Sequence, residues 1–467
     1  MFTSYEKFDL ETGFSEKAGF QLSPLQIQDV EQFVNWDISL NKYEVGGGKT
    51  VVSTVVALMR QPDVVVVTVP PILIRPWVRW LTKVSDGVLQ YEGTPAERNK
   101  MDMRSAKWIV CSHAIFRTDF QKIREALAGR DYEGIVDEAH NAKNVKSVLY
   151  KKVTTLFIGH RLQLLTGTPM SKPVDGYSYI KLKSPEKYRS LAHFEAVHVE
   201  ERDFFKKPTK WMNLEMLAQN LAIKTISRTK EELHGYRNKP LYPDTTYRLA
   251  PAHYALYEKL VNEQLLLLPT GDKIDATTAV KLYHQIQQLV VNLDYFTGDP
   301  EARSTSYDLV DQTIESTDCL TLNKSKLIIW TLYKRTSASL LAYLKRAGIN
   351  AVAAYSGADS QKSFDMFMDD SKVRILVAQP QSAGAGLNPQ SVCSEALFLE
   401  TSPVPLYNIQ ACGRIDRMGQ TRVPTIRYGI AEGTIQESLV RQLIYNEDIV
   451  AKAEGSKAKL KDILLGR

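Results

Sequence analysis

Short runs of apolar, mostly β-branched residues recur along the first third of the chain, with room for a helix between one run and the next. These runs are Asp63–Pro70, Lys107–His113, Gly134–His140 and Arg161–Pro169. Apolar residues at successive positions are typical of strands covered on both faces, because half-exposed strands alternate apolar and polar residues. Such strands separated by helix-length segments predict a parallel sheet built from βαβ units.

The strand pattern stops in the middle of the chain and then returns. From about Met170 to Leu320 the sequence is richer in aromatic and long side chains, and segments 253–268 and 279–293 have helical patterns. The runs that follow are Lys326–Leu332, Ile349–Gly357, Val373–Gln379 and Glu395–Glu400. We predict an α/β fold class with a first lobe over residues 1–225, a helical connector over 226–320 and a second lobe over 321–467.

Composition limits the class of protein but does not identify it. The 467 residues are 44% hydrophobic and 24% charged, and the net charge of +6 permits a polyanionic partner without requiring one. Cys111, Cys319, Cys393 and Cys412 are far apart, so neither a disulfide framework nor a zinc site is indicated. No apolar run approaches the roughly 20 residues that span a bilayer. We expect a soluble, cytoplasmic protein.

The segment KYEVGGGKT, residues 42–50, has the composition of a phosphate-binding loop. Its glycines are Gly46, Gly47 and Gly48. Glycines let backbone N–H groups point at phosphate oxygens, and the N-terminus of a following helix adds the positive end of its dipole. The alternative is a glycine turn that only caps a helix. The helical pattern of Val51–Met59 favours the phosphate loop, since the motif requires a helix in that place.

Two side chains of this loop predict the ligand. Lys49 is expected to reach the β- and γ-phosphates of ATP, and the Thr50 hydroxyl is expected to bind Mg²⁺. Tyr43 occupies the position where the full pattern has its first glycine. A bulky ring there is the one departure that puts the loop in question.

Two adjacent carboxylates end one of the apolar runs. Asp137 and Glu138 follow Ile135 and Val136, at the end of a strand where open α/β sheets bind their ligands. We predict that Asp137 holds Mg²⁺ beside Thr50 and that Glu138 orients or deprotonates the attacking water. The alternative is an exposed helix start, where acidic residues are also preferred.

Phosphoryl transfer also needs positive charge at the γ-phosphate. Arg414 and Arg417 lie three residues apart, a spacing that places them on one face of a helix. An exposed basic pair has the same pattern. If these arginines belong to the second lobe, they complete the site only when the lobes close.

Taken in order, the motifs resemble those of the Swi/Snf-type branch of the superfamily two helicases and translocases. The matching segments are LSPLQ at 22–26, YEVGGGKT at 43–50, VTVPPILIRPW at 67–77, CSHAI at 111–115, DEAHNAKN at 137–144, LTGTP at 165–169, SRTKEEL at 227–233, AGAGLN at 383–388 and QACGRIDRMGQ at 410–420. The resemblance implies two RecA-like lobes that bind ATP and Mg²⁺. It also implies that Gln26 contacts the base and that Gly386 belongs to the nucleotide site.

The same resemblance implies a DNA backbone bound across both lobes. The candidate contacts are Pro70, Ser112, His113, Ser356, Gly357 and Ser382. Phosphate contacts are largely independent of sequence and weaken steeply with salt. Ordinary loop chemistry is the alternative for each of these residues.

The segment Phe204–Trp211, FFKKPTKW, interleaves basic residues with aromatic ones. Such a segment can stack on a base or act as a wedge at a DNA junction. Packing inside a helical protrusion is the interpretation we favour from sequence, since aromatic side chains also anchor cores. The tail, residues 451–467, is basic, which is compatible with contact to DNA. We favour the interpretation that it is a solvated helix end.

We predict an ATP-dependent DNA helicase or translocase that acts on duplex or branched DNA, by fork unwinding or branch migration. The compact arrangement resembles the minimal helicases of this branch that some bacteriophages encode. One alternative is a DNA-binding clamp switched by ATP, motivated by Tyr43 in the loop. Another is the motor subunit of a restriction or defence complex whose nuclease is a separate chain.

Overall fold

The computed structural model describes most of the chain. The described residues are 3–235, 239–263, 265–267, 273–275, 279–299, 302–355, 359–383, 387–417 and 419–455. They form two compact units. One consists of Met1–Tyr236 with Asp448–Lys457, and the other is mainly Arg237–Glu447. Within the described ranges, no helix is both long and apolar enough to cross a membrane.

The first unit is built on a parallel sheet of seven strands among its described residues. Its strands are β1 Ile38–Tyr43, β2 Val64–Val69, β3 Val88–Tyr91, β4 Trp108–Ser112, β5 Tyr132–Asp137, β6 Arg161–Leu165 and β9 Thr225–Arg228. Their order in the sheet is β3-β4-β2-β5-β6-β1-β9. The four runs predicted in this part of the chain are therefore strands.

Helices cover both faces of this sheet. They are α1 Ser4–Thr12, α2 Phe14–Ala18, α3 Pro24–Phe33, α4 Lys49–Arg60, α5 Ile74–Val84, α6 Pro95–Arg98, α7 His113–Thr118, α8 Phe120–Leu127, α9 Val148–Phe157, α10 Gly176–Lys183, α11 Leu191–His198, α12 Leu214–Ala222 and α13 Lys230–His234, with 3-10 turns at Pro71–Leu73, Ala139–Ala142 and Pro173–Asp175. Along β2, Val64 and Val66 pack into one core cluster while Val65 and Val67 pack into another. Burial on both faces explains the unbroken run of valines.

A separate antiparallel hairpin projects from the sequence between α11 and α12. It pairs β7, Val199–Arg202, with β8, Pro208–Trp211. Segment 204–211 therefore forms the tip and second strand of a hairpin. The expectation that its aromatic residues pack inside a helical protrusion is wrong for Phe204 and Phe205, which are 94% and 76% exposed.

The second unit contains a parallel sheet of six strands among its described residues. Its strands are β10 Asp244–Tyr247, β13 Lys326–Trp330, β14 Ala351–Ala354, β15 Ile375–Ala378, β16 Cys393–Phe398 and β17 Thr425–Ala431, and a short hairpin pairs β11 Leu265–Leu267 with β12 Lys273–Asp275. The order in the sheet is β10-β17-β16-β13-β15-β14. The four predicted runs of this half are strands as well.

The helices of the second unit include those of the predicted connector except α13, which belongs to the first unit. They are α14 Pro251–Glu263, α15 Ala279–Val291, α16 Leu293–Thr297, α17 Ser306–Thr317, α18 Lys334–Arg346, α19 Ser360–Asp369, α20 Pro380–Ala383, α21 Pro405–Ile415 and α22 Ile435–Glu454, with a 3-10 turn at Pro389–Ser391. Leu260 of α14 and Leu289 of α15 share a core cluster with Leu327 of β13. The middle helices thus pack on the second sheet. Two parallel α/β sheets confirm the predicted fold class.

The end of α22 belongs to the first unit, unlike its beginning. Ala453 is buried in the main core cluster of that unit. Glu454 forms an ion pair with Lys42 of β1, with 2.5 Å between Oε2 and Nζ. In the described start of the tail Ala451 and Ala453 are buried and Lys452 is exposed, so the expectation of a solvated helix end is wrong for one face of the helix. Residues 456–467 lie outside the described residues.

Candidate nucleotide and motor site

The glycine loop joins the end of β1 to the start of α4. Gly46 and Gly48 both have φ of +88°, a left-handed backbone that glycine adopts without strain. Helix α4 begins directly at Lys49, with Gly48 as its N-cap. A Cβ atom on Gly48 would lie 2.7 Å from the Gln26 amide nitrogen. The loop therefore has the backbone of an anion-binding turn that leads into a helix N-terminus.

The Lys49 ammonium lies against the carbonyl groups of its own loop. Nζ donates to the backbone oxygens of Tyr43, at 2.9 Å, and Glu44, at 3.2 Å. The same ammonium lies 3.6 Å from where a Cβ on Gly167 would be. Lys49 is thus held at the carboxyl edge of the sheet, where a phosphate oxygen can replace these carbonyl contacts. Thr50 follows it in the first turn of α4.

Gln26 supports the loop from α3. Its side chain closes a capping box with Ser23, and its Nε2 donates to the Gly47 carbonyl at 3.2 Å. The structure therefore places Gln26 against the glycine loop. Its contact with a base stays a prediction.

The side chain of Tyr43 does not point into the glycine loop. Its ring is fully buried, and its hydroxyl donates to Asp29 Oδ2 at 2.6 Å. Arg228 of β9 donates to both oxygens of the same carboxylate, at 2.5 and 2.9 Å. The ring points into the core, so only the backbone carbonyl of Tyr43 faces Lys49. The residue that put the loop in question joins the loop strand to α3 and β9.

Sequence reasoning missed Asp29 and Arg228. A signal for Asp29 was present, because Gln26, Asp29 and Phe33 share the buried face of α3. A carboxylate on a buried helix face needs a partner. Nothing in the local sequence shows that Arg228 is that partner.

Asp137 is the last residue of β5 and is buried. Its Oδ2 accepts from the Trp77 indole N–H at 2.8 Å, and its Oδ1 accepts from the Glu138 backbone N–H at 2.8 Å. Burial, followed by the neighbouring Glu138 charge, raises the pKa of Asp137 to about 6, whereas Trp77 and Lys49 act in the opposite direction. A carboxylate whose charge is poorly compensated is suited to a cation.

Glu138 has an uncommon backbone. Its φ is +48° in a non-glycine residue, a conformation that concentrates at functional sites. Its Oε2 lies 3.1 Å from His140 Nδ1, which also lies 3.3 Å from the Thr166 hydroxyl. His140 thus joins the Glu138 carboxylate to Thr166 of the LTGTP segment.

Sheet order explains how these distant motifs meet. Strand β6 lies between β1 and β5, and Leu165 is paired in register with Asn41 on one side and Asp137 on the other. Parallel strands place their carboxyl ends at one edge. The structure therefore collects the glycine loop, the two carboxylates and the Thr166 segment at the same edge of the first sheet.

The residues at this edge suit Mg²⁺ held partly by a nucleotide. Within the described residues, no group of three or more His, Cys, Asp or Glu side chains could hold a metal by itself. Mg²⁺ is usually bound by one or two protein oxygens together with substrate phosphates and water. The Asp137 carboxylate and the Thr50 hydroxyl match that requirement.

Three of the predicted DNA contacts also lie along this edge. Pro70 directly follows β2, and Val69 is in register with Ser112, the last residue of β4. Ser112 and His113 are nearly covered: Ser112 Oγ caps α7, and His113 Nδ1 lies 2.9 Å from the Thr68 hydroxyl. Burial lowers the pKa of His113 to about 4. These contacts favour a role in shaping the loops, and direct contact with DNA stays a prediction.

The second unit holds the two predicted arginines, but not on one helix. Helix α21 ends at Ile415 and Asp416 has a non-helical backbone, so the expectation of a shared helix face is wrong for Arg417. Arg414 Nη1 donates to the Leu387 carbonyl at 3.4 Å, and Arg417 donates to the Asn388 side chain. The sixth motif thus contacts the fifth.

The remaining candidates of the second unit are described only in part. Ser382 lies in the short helix α20. Ser356, Gly357 and Gly386 lie outside the described residues. Their predicted contacts stay predictions.

Comparison with protein families connects this arrangement to a known group. Residues 36–294, more than half of the chain, match the model of the SNF2-related domain. The chain belongs to the SNF2-related family. This confirms, at the level of the family, the predicted Swi/Snf-type ATP hydrolase and helicase.

Two helicases are similar over most of the chain. An uncharacterized ATP-dependent helicase of Bacillus subtilis, YqhH, is 25% identical over 90% of this chain and 76% of that protein. The DNA annealing helicase and endonuclease ZRANB3 of Mus musculus is 23% identical over 90% of this chain and 39% of that protein. The chain thus spans a minority of the larger relative.

The fold matches a solved helicase structure. The helicase domain of Pyrococcus furiosus Hef aligns with a TM-score of 0.50 at 15% identity, covering 90% of this chain and 97% of that chain. The likeness confirms the RecA-like helicase fold that the motifs imply.

Proposed function

We propose that this chain is an ATP-dependent DNA motor, a helicase or translocase that acts on duplex or branched DNA. The observation that carries the proposal is the single edge of the first sheet where Lys49, Asp137 and Glu138 meet. Membership of the SNF2-related family supports it. The match with an ATP-dependent helicase over most of both chains supports it further.

Each residue of the edge has a part in hydrolysis. The loop N–H groups and Lys49 bind the β- and γ-phosphates, and the Gln26 side chain holds the loop in shape. Mg²⁺, when bound through Thr50 and Asp137, would neutralise phosphate charge. Glu138 orients the attacking water and accepts its proton. Arg414 and Arg417 supply positive charge to the γ-phosphate during hydrolysis.

DNA is bound mainly through its phosphates. The candidate contacts are Pro70, Ser112, His113, Ser356, Gly357 and Ser382, of which the serine hydroxyls are donors suited to phosphate oxygens. Binding is expected to be independent of sequence and to fall steeply as salt rises. Fork unwinding or branch migration is the activity we favour. The support for it is the similarity to a relative described as a DNA annealing helicase.

The ATP-switched clamp loses its motivation. It rested on the idea that a ring at position 43 disturbs the phosphate loop, and that ring is buried against Asp29 instead. The two adjacent carboxylates equip the site for turnover.

The test is ATP hydrolysis with no DNA, single-stranded DNA, blunt duplex and a four-way junction, each at two salt concentrations. Wild type should be activated by DNA, with the strongest effect from the structure on which it acts. Lys49→Ala and Glu138→Gln should each abolish this hydrolysis. The matched controls are Lys151→Ala and Glu125→Gln, which change exposed residues of the same unit. Wild-type turnover in either site variant would refute the mechanism.

A further inference from the structure

The hairpin of β7 and β8 ends in an exposed aromatic pair that the proposed motor chemistry does not use. Phe204 and Phe205 are 94% and 76% exposed, and their ring centroids lie 5.5 Å apart with an angle of 85° between the ring planes. Two phenyl rings in water gain nothing from burial in the fold. Their position calls for an explanation other than stability.

The backbone of the tip is ordered by hydrogen bonds. The Lys206 N–H donates to the Asp203 carbonyl at 2.9 Å, and the Asp203 N–H donates to the Lys207 carbonyl at 2.9 Å. Lys206 has φ of +60°. This is a three-residue hairpin loop with a left-handed third residue. The Asp203 carboxylate accepts from the Lys207 N–H at 2.8 Å, which fixes the turn further.

The residues of this turn are not those that favour its geometry. Glycine, asparagine and aspartate are preferred in such loops, and the left-handed position favours glycine most. Here that position is Lys206, and the two residues before it are phenylalanines. Departures from local rules that lack a compensating gain in the fold are expected at functional positions.

The stem of the hairpin is anchored in the first unit. Trp211 and Val197 are partly buried against the main core cluster. The Met212 N–H donates to the His198 carbonyl at 2.9 Å, and the Asn213 side chain donates to the Val197 carbonyl at 2.7 Å. The two exposed rings are therefore carried by a hairpin whose base is packed and hydrogen-bonded to the first unit.

Charge at the tip differs from charge along the stem. Arg202 pairs with Glu195 at 3.0 Å, and Lys210 pairs with Glu200 at 2.8 Å. Lys206 and Lys207 are exposed and form no ion pair in the described part of the chain. The tip thus combines two exposed cations that form no ion pair there, the Asp203 carboxylate and two exposed rings.

We propose that tip residues 203–207 bind unpaired nucleotides at the boundary between single-stranded and duplex DNA. A base stacks on an exposed ring, and Lys206 and Lys207 bind the flanking phosphates. The two rings are nearly perpendicular, so one base lies flat on one ring while the other ring flanks it. Stacking requires an unpaired base, because the faces of a paired base are covered by its neighbours. This proposal rests on the proposed DNA motor function.

The experiment compares a forked DNA with a blunt duplex of the same length, with 2-aminopurine at the first unpaired position of the fork. Phe204→Ala/Phe205→Ala should lower the affinity for the fork by about 5- to 150-fold, the range expected for one lost stack. It should also remove the fluorescence change of 2-aminopurine. Phe204→Trp/Phe205→Trp, which keeps an aromatic ring at both positions, should keep both the fork affinity and the fluorescence change. Lys206→Ala/Lys207→Ala should reduce the salt slope by about 2.

Two controls separate folding from binding. Ile158→Ala removes an apolar side chain that is 65% exposed in the same unit and should leave fork affinity unchanged. Thermal unfolding of the alanine pair should be close to wild type, since both rings are mostly exposed.

The possible failures are distinguishable. Wild-type protein that binds neither DNA refutes the motor function itself. If wild type binds both DNAs and the alanine pair keeps wild-type affinity for the fork, only the hairpin proposal is overturned. If that pair instead loses self-association in sedimentation, the rings serve a contact between proteins, which also overturns the proposal.

Discussion

The Tyr43 hydroxyl donates to the Asp29 carboxylate of α3 at 2.6 Å, so the residue that departs from the phosphate-loop pattern is bound to a neighbouring helix. Arg228 completes the contact by donating to both oxygens of Asp29. The trio connects helix α3, the loop strand β1 and the edge strand β9. A residue that looks like a defect in the phosphate loop is therefore part of its support.

Tyr43→Phe should weaken folding and leave the loop intact. Loss of one buried hydrogen bond is expected to lower the free energy of unfolding by about 1–2 kcal/mol. ATP affinity should stay within about twofold, because the phenol faces away from Lys49. If the lost energy acted on ATP binding instead of folding, a loss of about 1.4 kcal/mol would weaken affinity tenfold. Urea unfolding and nucleotide binding measure the two effects.

The chain contains a matched control for this variant. Tyr91 donates to Asp119 at 2.8 Å, and Arg98 donates to both oxygens of that carboxylate, away from the glycine loop. Tyr91→Phe should lower stability by a similar amount. Loss of ATP binding in Tyr43→Phe alone would show that the phenol acts on the loop.

Trp77→Phe should impair use of Mg²⁺. The indole N–H is a direct hydrogen-bond partner of Asp137, and partners of metal ligands typically contribute 10- to 100-fold to affinity or activity. We expect the Mg²⁺ concentration for half-maximal hydrolysis to rise by about tenfold or more. Trp80→Phe is the control, because that indole donates to the Thr54 hydroxyl at 3.0 Å instead. Equal effects of the two variants would contradict the role assigned to Trp77.

Glu454→Ala should destabilise the first unit. It leaves the Lys42 charge buried without its partner, and breaking a buried pair typically costs about 3–5 kcal/mol. Lys42→Met/Glu454→Leu should recover most of that loss, because both charges are removed together. Five of the six tryptophans lie in the range Met1–Tyr236, so tryptophan fluorescence in urea reports mainly on this unit. A double variant as unstable as the single one would show that packing, not charge, is lost.

Glu400 should make the second unit less stable as pH rises. Burial raises the pKa of Glu400 to about 7 from an ordinary 4.5, although it accepts from the Leu332 and Tyr333 N–H groups and the Thr336 hydroxyl. Between these values the unfolded chain releases the proton first, so the free energy of unfolding falls from about pH 4.5 to about pH 7. Glu400→Gln, which cannot ionise, should lose this slope. Calorimetry across this pH range checks it, and an unchanged slope would exclude Glu400 as its source.

The predicted strands were correct where burial on both faces imposes an unbroken apolar run. Val64–Val69 is the clearest case. Strand β1 did not have that pattern, since Asn41 and Lys42 are polar yet buried. The leucines at 265–267 looked helical but pair as β11 with β12. For β1 the paired strands β6 and β9 are distant in the sequence, whereas β11 pairs with a strand six to ten residues further along, so a pairing nearby in the chain rather than the apolar pattern decides its structure.

The candidate site shows the same division. The glycine loop, the paired carboxylates and the motif order could be predicted from sequence, because each is a local pattern typical of phosphate or metal chemistry. The exposure of Phe204 could not be predicted, since an aromatic residue is found in a core as well as at the tip of a hairpin. The loss of a shared helix face for Arg414 and Arg417 could not be predicted either, because it depends on α21 ending at Ile415.

The fold class, the glycine loop and the paired carboxylates follow from local patterns, because each depends on residues close together in the chain. The contacts of Tyr43 with Asp29, of Trp77 with Asp137 and of Glu454 with Lys42 follow from the folded arrangement alone. These contacts join segments that sheet order brings together. A buried polar group requires a partner, but local sequence cannot say which distant residue supplies it.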